Sequence, residues 1–398
     1  MTAVRTNGRV IVVVAAVAVA AVATGGMLAA RNGPKFLGSA AVPLTAPTSP
    51  SPQVSKQSAK QTPPTSIPSA RSTSPLPTPS LTLSTPTPPP AGSVKLSVEL
   101  AKLGQGRDPQ VTFVVGREVR GGAGWLRKIP GTDTIHQVAR LGDDVLAVVS
   151  AADWRLIKIG SDGKARYTPD VSSLVGAEGG AVAYAAVPAD NAGGVVYAET
   201  EAAVQKLAVP ASARGLEVLR VGTDGKVYFH WKDAEAAPWK LFEWTPGSSA
   251  ARRITTVGSA REVSADGAVA ISTSVSTPGE TTRICSTVMV VATGKQSWRT
   301  CDSVLSGFTP GHSVAIGVGD RAGDGSAGRI TAQDTTTGAV IREWTGRFET
   351  VVPEDDQHLL IVAVNAAYQS SIIRCAITTG SCETAVRPKS AWMGISGE

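Results

Sequence analysis

From Val94 onward, hydrophobic positions come in short bursts that alternate with polar ones, and each burst is cut by Gly, Pro, Asp or Asn. Alternation over a few residues marks a half-buried strand, and no stretch keeps the roughly 3.6-residue period of an amphipathic helix. Two kinds of run recur. One leads into a tight turn, as in Trp154–Ile159, Lys240–Trp244, Ser286–Val291 and Ile372–Ile377. The other lies upstream: Val145–Ser150, Ala181–Val187, Val227–Trp231, Ala268–Ser274, Ser313–Val318 and Leu359–Val364. The turn signals are Pro130-Gly131, Asp162-Gly163, Pro210-Ala211, Pro246-Gly247, Thr293-Gly294, Thr337-Gly338 and Thr379-Gly380, with second residues 32, 48, 36, 47, 44 and 42 apart. Seven units of roughly 40 residues with four short strands each predict an all-β chain, a seven-bladed β-propeller over 94–398. Degenerate repeats leave a pair of β-sandwiches open as the alternative.

The first 92 residues follow another pattern. Val10–Ala23 is an unbroken apolar run that continues through Thr24-Gly25-Gly26 to Ala30. Counted to Ala30, it is long enough to cross roughly 30 Å of hydrocarbon. Counted to Ala23, it matches a signal-peptide apolar region, with Ala21-Val22-Ala23 as the cleavage site. The expectation is a retained transmembrane anchor over 10–30 with 1–9 cytoplasmic. A cleaved signal, or a buried helix, is the competing reading. Residues 40–92 hold 14 Pro, 10 Ser and 9 Thr, too few large apolar side chains to offset the entropy of ordering. Residues 31–92 are therefore expected to be a disordered linker reaching on the order of 150 Å. It is either a passive spacer or an O-glycosylated stalk.

Charge matters once it is split. The chain has 38 Lys+Arg and 32 Asp+Glu, a net of +6. Residues 1–92 carry seven basic side chains and no acidic ones, so 31 basic and 32 acidic remain for the rest, a net of −1. A near-neutral folded part gives no electrostatic case for nucleic acid.

All four cysteines lie late in the chain. If Ile377–Gly380 form a four-residue loop, Ala376 faces Ser381 and Cys375 lies opposite Cys382, at a spacing suited to a cross-strand disulfide. Cys285 and Cys301 bracket a second hairpin and come opposite one another only if its loop has three residues. Free thiols are the alternative. A metal site lacks both a close thiol pair and a nearby His. Two disulfides would place the domain outside the cytosol.

Two stretches carry a family resemblance. Ser264-Ala-Asp266-Gly267 and Gly222-Thr-Asp224-Gly225, each followed by an apolar strand, resemble the start of TolB-type propeller repeats, and the Thr-Thr-Gly hairpins at 336–338 and 378–380 resemble their end. The resemblance, which is WD-repeat-like at the level of architecture, implies the propeller fold. The family's Pro before Asp-Gly is absent, as is the N-terminal α/β domain of the periplasmic translocation protein, so that protein's partners are not implied.

A ring must close. The seventh blade is expected to end near Val386, leaving Ala391-Trp392-Met393-Gly394-Ile395 as a spare strand. It is expected to join the first blade, with Val111–Val115, Trp125–Ile129 and the run through His136–Ala139.

Catalytic signatures are thin. There is no Gly-x-Ser-x-Gly elbow, phosphate loop or dinucleotide fingerprint, and no cofactor or metal is expected. His136, His230, His312 and His358 read as isolated strand or turn residues, Asp162, Asp224 and Asp266 as turn caps, and Glu354-Asp355-Asp356 as a solvated turn. Asp320-Arg-Ala-Gly-Asp324-Gly325-Ser326 has acids four apart with Arg321 between them, which suits a polar loop better than calcium.

Loops say more. Connections between second and third strands, with those between blades, should gather on one face around the channel mouth. The expected set is Arg117–Gly124, Ala151–Asp153, Pro188–Gly194, Lys232–Pro238, Thr277–Thr282, Gly319–Gly328 and Asn365–Gln369. The candidate binding face is Arg120, Trp154, Asp190, Trp231, Asp233, Asp320, Arg321 and Tyr368. Polar rims with aromatic anchors suit protein or glycan binding, although a Trp such as Trp125, Trp154, Trp239 or Trp244 can equally pack between blades. The expectation is a monomeric ring tethered outside a bacterial-type membrane, binding an exported protein or cell-wall glycan. The alternative is an exported hydrolase or lyase with its active site at the mouth.

Overall fold

The computed structural model describes residues 94–177, 180–276, 283–321 and 326–396; the anchor and linker expectations lie outside them. The described residues form seven antiparallel blades. Blades two to five are four-stranded sheets in chain order: Thr134–Leu141 to Ala165–Pro169, Val171–Ala177 to Val204–Val209, Arg214–Val221 to Arg252–Gly258, and Ala260–Val263 to Gln296–Thr300. Blades six and seven share one sheet. Val340–Pro353 is a single strand of 14 residues, whose first half is the outer strand of blade six and whose second half is the first strand of blade seven.

The C-terminal strand Met393–Ile395 pairs with Phe113–Val115, with Phe113 opposite Ile395 and Val115 opposite Met393. Blade one is completed by Glu118–Arg120 and Leu126–Lys128. This is the expected closure, with one correction. The run His136–Ala139 belongs to the first strand of blade two, and its place in blade one is taken by Glu118–Arg120. The turn signals are corrected too. Five close hairpins between third and fourth strands, but Pro130-Gly131 and Pro210-Ala211 join successive blades.

Seven buried apolar clusters lie between neighbouring blades. Met393 and Ile395 pack on Leu360, Val362 and Ile372 of blade seven, and Val114 and Val119 pack on Val138 and Ala147 of blade two. Seven blades with seven interfaces make a closed ring, since an open one has one interface fewer. A sandwich pair is excluded.

An element unforeseen in the sequence precedes blade one. Lys95–Ser97 adds in parallel to the outer strand of blade six, and Leu96, Val98, Leu100 and Leu103 pack into the cluster between blades six and seven. Gln105 then bridges Thr384. This strap covers an otherwise open sheet edge. Arg374 fastens its far end. Its guanidinium donates to Glu354, to Glu383 Oε1 at 2.6 Å, and to the carbonyls of Arg107 and Asp108 at 3.0 Å each. Glu354, expected in a solvated turn, is buried because it pairs with Arg374. Burial works to raise its pKa, but the hydrogen bonds from Arg374 and the Gln110 N–H hold it below the usual carboxylate range.

Both expected disulfides form, Cys375–Cys382 and Cys285–Cys301. The first has the expected register, with the Ala376 N–H donating to the Ser381 carbonyl at 2.8 Å. The second gets there by another route. The Val290 N–H bonds to Lys295, so the loop has four residues, and an extra residue at Ser297 shifts the register back by one. Replacing either pair by Ala should lower stability by about 2–3 kcal/mol in urea unfolding.

Candidate functional site

Asp162, Asp224 and Asp266 cap their turns, each accepting from the N–H two residues on at 3.0–3.1 Å. The first strands of blades two to seven each carry a bulge near their start. The extra residue is His136, Ser172, Arg261, Ser306 or Glu349, and in blade four Gly215 and Leu216 oppose Trp231. A bulge twists its strand and re-aims side chains, here on the side where second strands turn into third strands. Three aromatic stations occupy that face.

The first is Trp154, which begins the third strand of blade two and is 40% exposed. Its ring stacks on His136 at 4.2 Å, and His136 Nε2 lies 2.7 Å from Ser150 Oγ. Burial pushes the His136 pKa below its ordinary value, so the ring is neutral at pH 7. The second is Trp239, stacked at 4.1 Å on His230, with Lys232 Nζ and the Arg261 guanidinium 5.3 and 5.2 Å from its ring. Gly215 has a left-handed φ of 64°, and a Cβ there would meet the Trp239 ring at 2.8 Å. His230 is wholly buried, with Nδ1 on the Ala260 carbonyl at 2.8 Å and Nε2 on Glu217 at 3.1 Å. Burial works to raise the Glu217 pKa, but the His230 hydrogen bond and the charges of His230, Arg261 and Lys232 hold it below the carboxylate range. His230 therefore supports Trp239 and has no free nitrogen for a substrate.

The third is Tyr368, 72% exposed at a left-handed φ of 58°. Such a conformation in a non-glycine residue costs about 1–3 kcal/mol and is held by its surroundings. Asn365 holds it: Oδ1 accepts from the Ala367 and Gln369 N–H groups at 2.9 and 3.0 Å, and its carbonyl accepts from Tyr368. Arg347 lies 4.5 Å over the ring.

The other expected residues behave differently. Trp231 packs inward, stacked on Phe242 at 3.7 Å. Asp190 caps its own turn through the Ala192 N–H at 3.1 Å, and Asp233 pairs with Lys240. Arg120 leaves the expected face. The second-to-third connection of blade one is only Gly116-Arg117, so Arg120 ends the third strand, paired with Glu118 at 2.6 Å. Asp320 and Arg321 end the strand Val314–Arg321, and their side chains, like the loops 277–282 and 322–325, lie outside the described residues. Trp125 and Trp244 pack between blades. The reading of His136 and His230 as isolated is corrected by their Trp stacks. Among the described residues no group of three or more His, Cys, Asp or Glu could hold a metal.

No family model and no curated protein matches the chain. Solved structures resemble it distantly. A prolyl endopeptidase is 13% identical, covering 74% of this chain and 50% of that one, with a TM-score of 0.46. TolB from Acinetobacter baumannii is 14% identical over 59% and 66%, with a TM-score of 0.38. The β-propeller domain of the Trilobed protease from Pyrococcus furiosus is 9% identical over 65% and 99%, also at 0.38. The chain spans about half the length of the prolyl endopeptidase. The seven blades, not these similarities, carry the fold.

Proposed function

We propose that this seven-bladed propeller is an interaction module outside the cytosol, tethered to a membrane through residues 10–30, whose channel-mouth face binds an exported protein. The observation that carries this reading is the exposure of Trp154 and Tyr368 on one face, each held by its own partners. Rigid aromatics backed by Arg are the residues that dominate protein–protein binding energy. A protein is favoured over a cell-wall glycan because cations already cover faces of Trp239 and Tyr368 on which a sugar ring would stack. The disulfides fit an oxidising compartment.

The double variant Trp154→Ala/Tyr368→Ala should weaken partner capture by the full chain at least 30-fold, at about 2 kcal/mol or more for the pair. A partner profile identical to wild type would contradict the reading. Co-sedimentation with purified cell-wall sacculi that the same variant abolishes would move the assignment to glycan. Asn365→Ala should act in the same direction as Tyr368→Ala, because it frees the turn that presents the ring.

The hydrolase alternative has one contact in its favour, the 2.7 Å approach of His136 Nε2 to Ser150 Oγ. Labelling by a fluorophosphonate that Ser150→Ala abolishes would favour it over binding.

A further inference from the structure

Blades fan out from the channel, so the gaps between them widen toward the rim. Between blades six and seven the strap fills that gap with Leu96, Val98, Leu100 and Leu103. Between blades five and six a cleft of about 450 Å³ remains, walled by Trp298 and Arg299 on one side and by Arg329 and Glu343 on the other. That volume falls within the range of small-molecule sites.

Its floor is polar, beside the apolar cluster that blades five and six also share. Ser303, Thr331 and Gln333 are 5%, 3% and 4% exposed. Gln333 Nε2 donates to Ser303 Oγ at 3.1 Å and to Thr331 Oγ1 at 2.9 Å. Both amide hydrogens are used, and the Ser303 and Thr331 hydroxyls keep their own protons to donate. Flipping the carboxamide exchanges its ends and leaves the floor equally polar. Gly317 leaves room for these three side chains to meet. Its φ is not left-handed, yet a Cβ there would lie 2.6 Å from Ser303 Oγ and closer still to Thr331 Oγ1. A ligand with both donors and acceptors complements such a floor, where a few placed polar groups fix its orientation. In the wall, buried Glu343 sits between Lys95 at 3.6 Å and Arg329 at 3.7 Å. With Arg299 and Asp302 the lining carries three cations and two carboxylates, a net of +1, a small excess that does not call for a strongly charged guest.

We propose that this cleft binds a sugar of one or two rings, at a site separate from the channel-mouth face. The ring hydroxyls would meet Gln333, Ser303 and Thr331.

The test is saturation-transfer NMR on the full chain with glucose, mannose, N-acetylglucosamine, maltose and glucuronate. At least one should receive transfer, with affinity reduced about tenfold or more by Gln333→Leu and by the isosteric Thr331→Val. The hairpin variant Lys164→Ala should leave it unchanged. Thr331→Val alone decides the matter if Gln333→Leu does not fold. No transfer to any of the five sugars would overturn the proposal, as would transfer that survives the floor variants or transfer lost in Trp154→Ala.

Discussion

A chain ending at Ser390 should lose cooperative folding instead of merely fraying. Met393 and Ile395 are 2% and 9% exposed, and both sit in the cluster that joins blades seven and one. Burying two such side chains stabilises by about 3–6 kcal/mol. Their strand also supplies the hydrogen-bond partners of Phe113–Val115, which would become an open edge. The sum is comparable to the whole stability of a domain, about 5–15 kcal/mol. Calorimetry should show a lower, broader transition for the shortened chain, and limited proteolysis should cut within blade one. A transition matching the full chain would mean that the ring does not depend on this strand.

Replacing Arg374 by Met should be nearly as damaging. The side chain holds Glu354, Glu383 and two strap carbonyls at once, and removing it leaves the buried Glu354 carboxylate without its main partner. Breaking a buried pair in this way costs about 3–5 kcal/mol. Arg374→Lys should restore little, because one ammonium cannot reach acceptors arranged around a planar fork. The double variant Glu354→Gln/Arg374→Met should recover part of the loss by removing the stranded charge. A pH dependence follows. The folded pKa of Glu354 lies below its unfolded value, so its stabilisation is complete above the unfolded carboxylate value of about 4.3 and is lost as pH falls through the folded value. Urea unfolding from pH 7 to pH 3 should therefore show a smaller loss of stability on acidification in the double variant than in wild type, the remainder coming from carboxylates such as Glu217 and Asp355 that are also held low.

How much of this was legible in the sequence depended on what each segment buries. The second strands, such as Val145–Ser150 and Leu359–Val364, are covered on both faces and read as nearly continuous apolar runs. The spare strand was legible because an apolar segment after the last repeat has nowhere else to pair. Glu118–Arg120 was not, because only Val119 is buried and charged residues flank it. The join between blades six and seven carries no turn signal, since Val340–Pro353 passes through Gly346-Arg347 without breaking. The strap escaped notice because Lys95–Ser97 is short and its pairing is parallel and distant in sequence. At the candidate site, Tyr368 was legible as an aromatic on a predicted loop and Trp154 as one flanking a loop. Their supports were not: the stack on His136 depends on a bulge, and the role of Asn365 depends on backbone angles. Arg120 was misplaced for the same reason as Glu118–Arg120, a strand hidden inside an apparent loop.

The central claim is that the face carrying Trp154 and Tyr368 meets an exported protein. The most direct measurement is a photo-crosslinking scan of the full chain in its native cells. A photoreactive amino acid would be placed in turn at 153, 190, 234 and 368 on that face, and at 163, 247, 337 and 379 on the opposite hairpins. Discrete protein adducts at the first four positions and none at the second four are the predicted result. Adducts confined to the hairpin positions would contradict it.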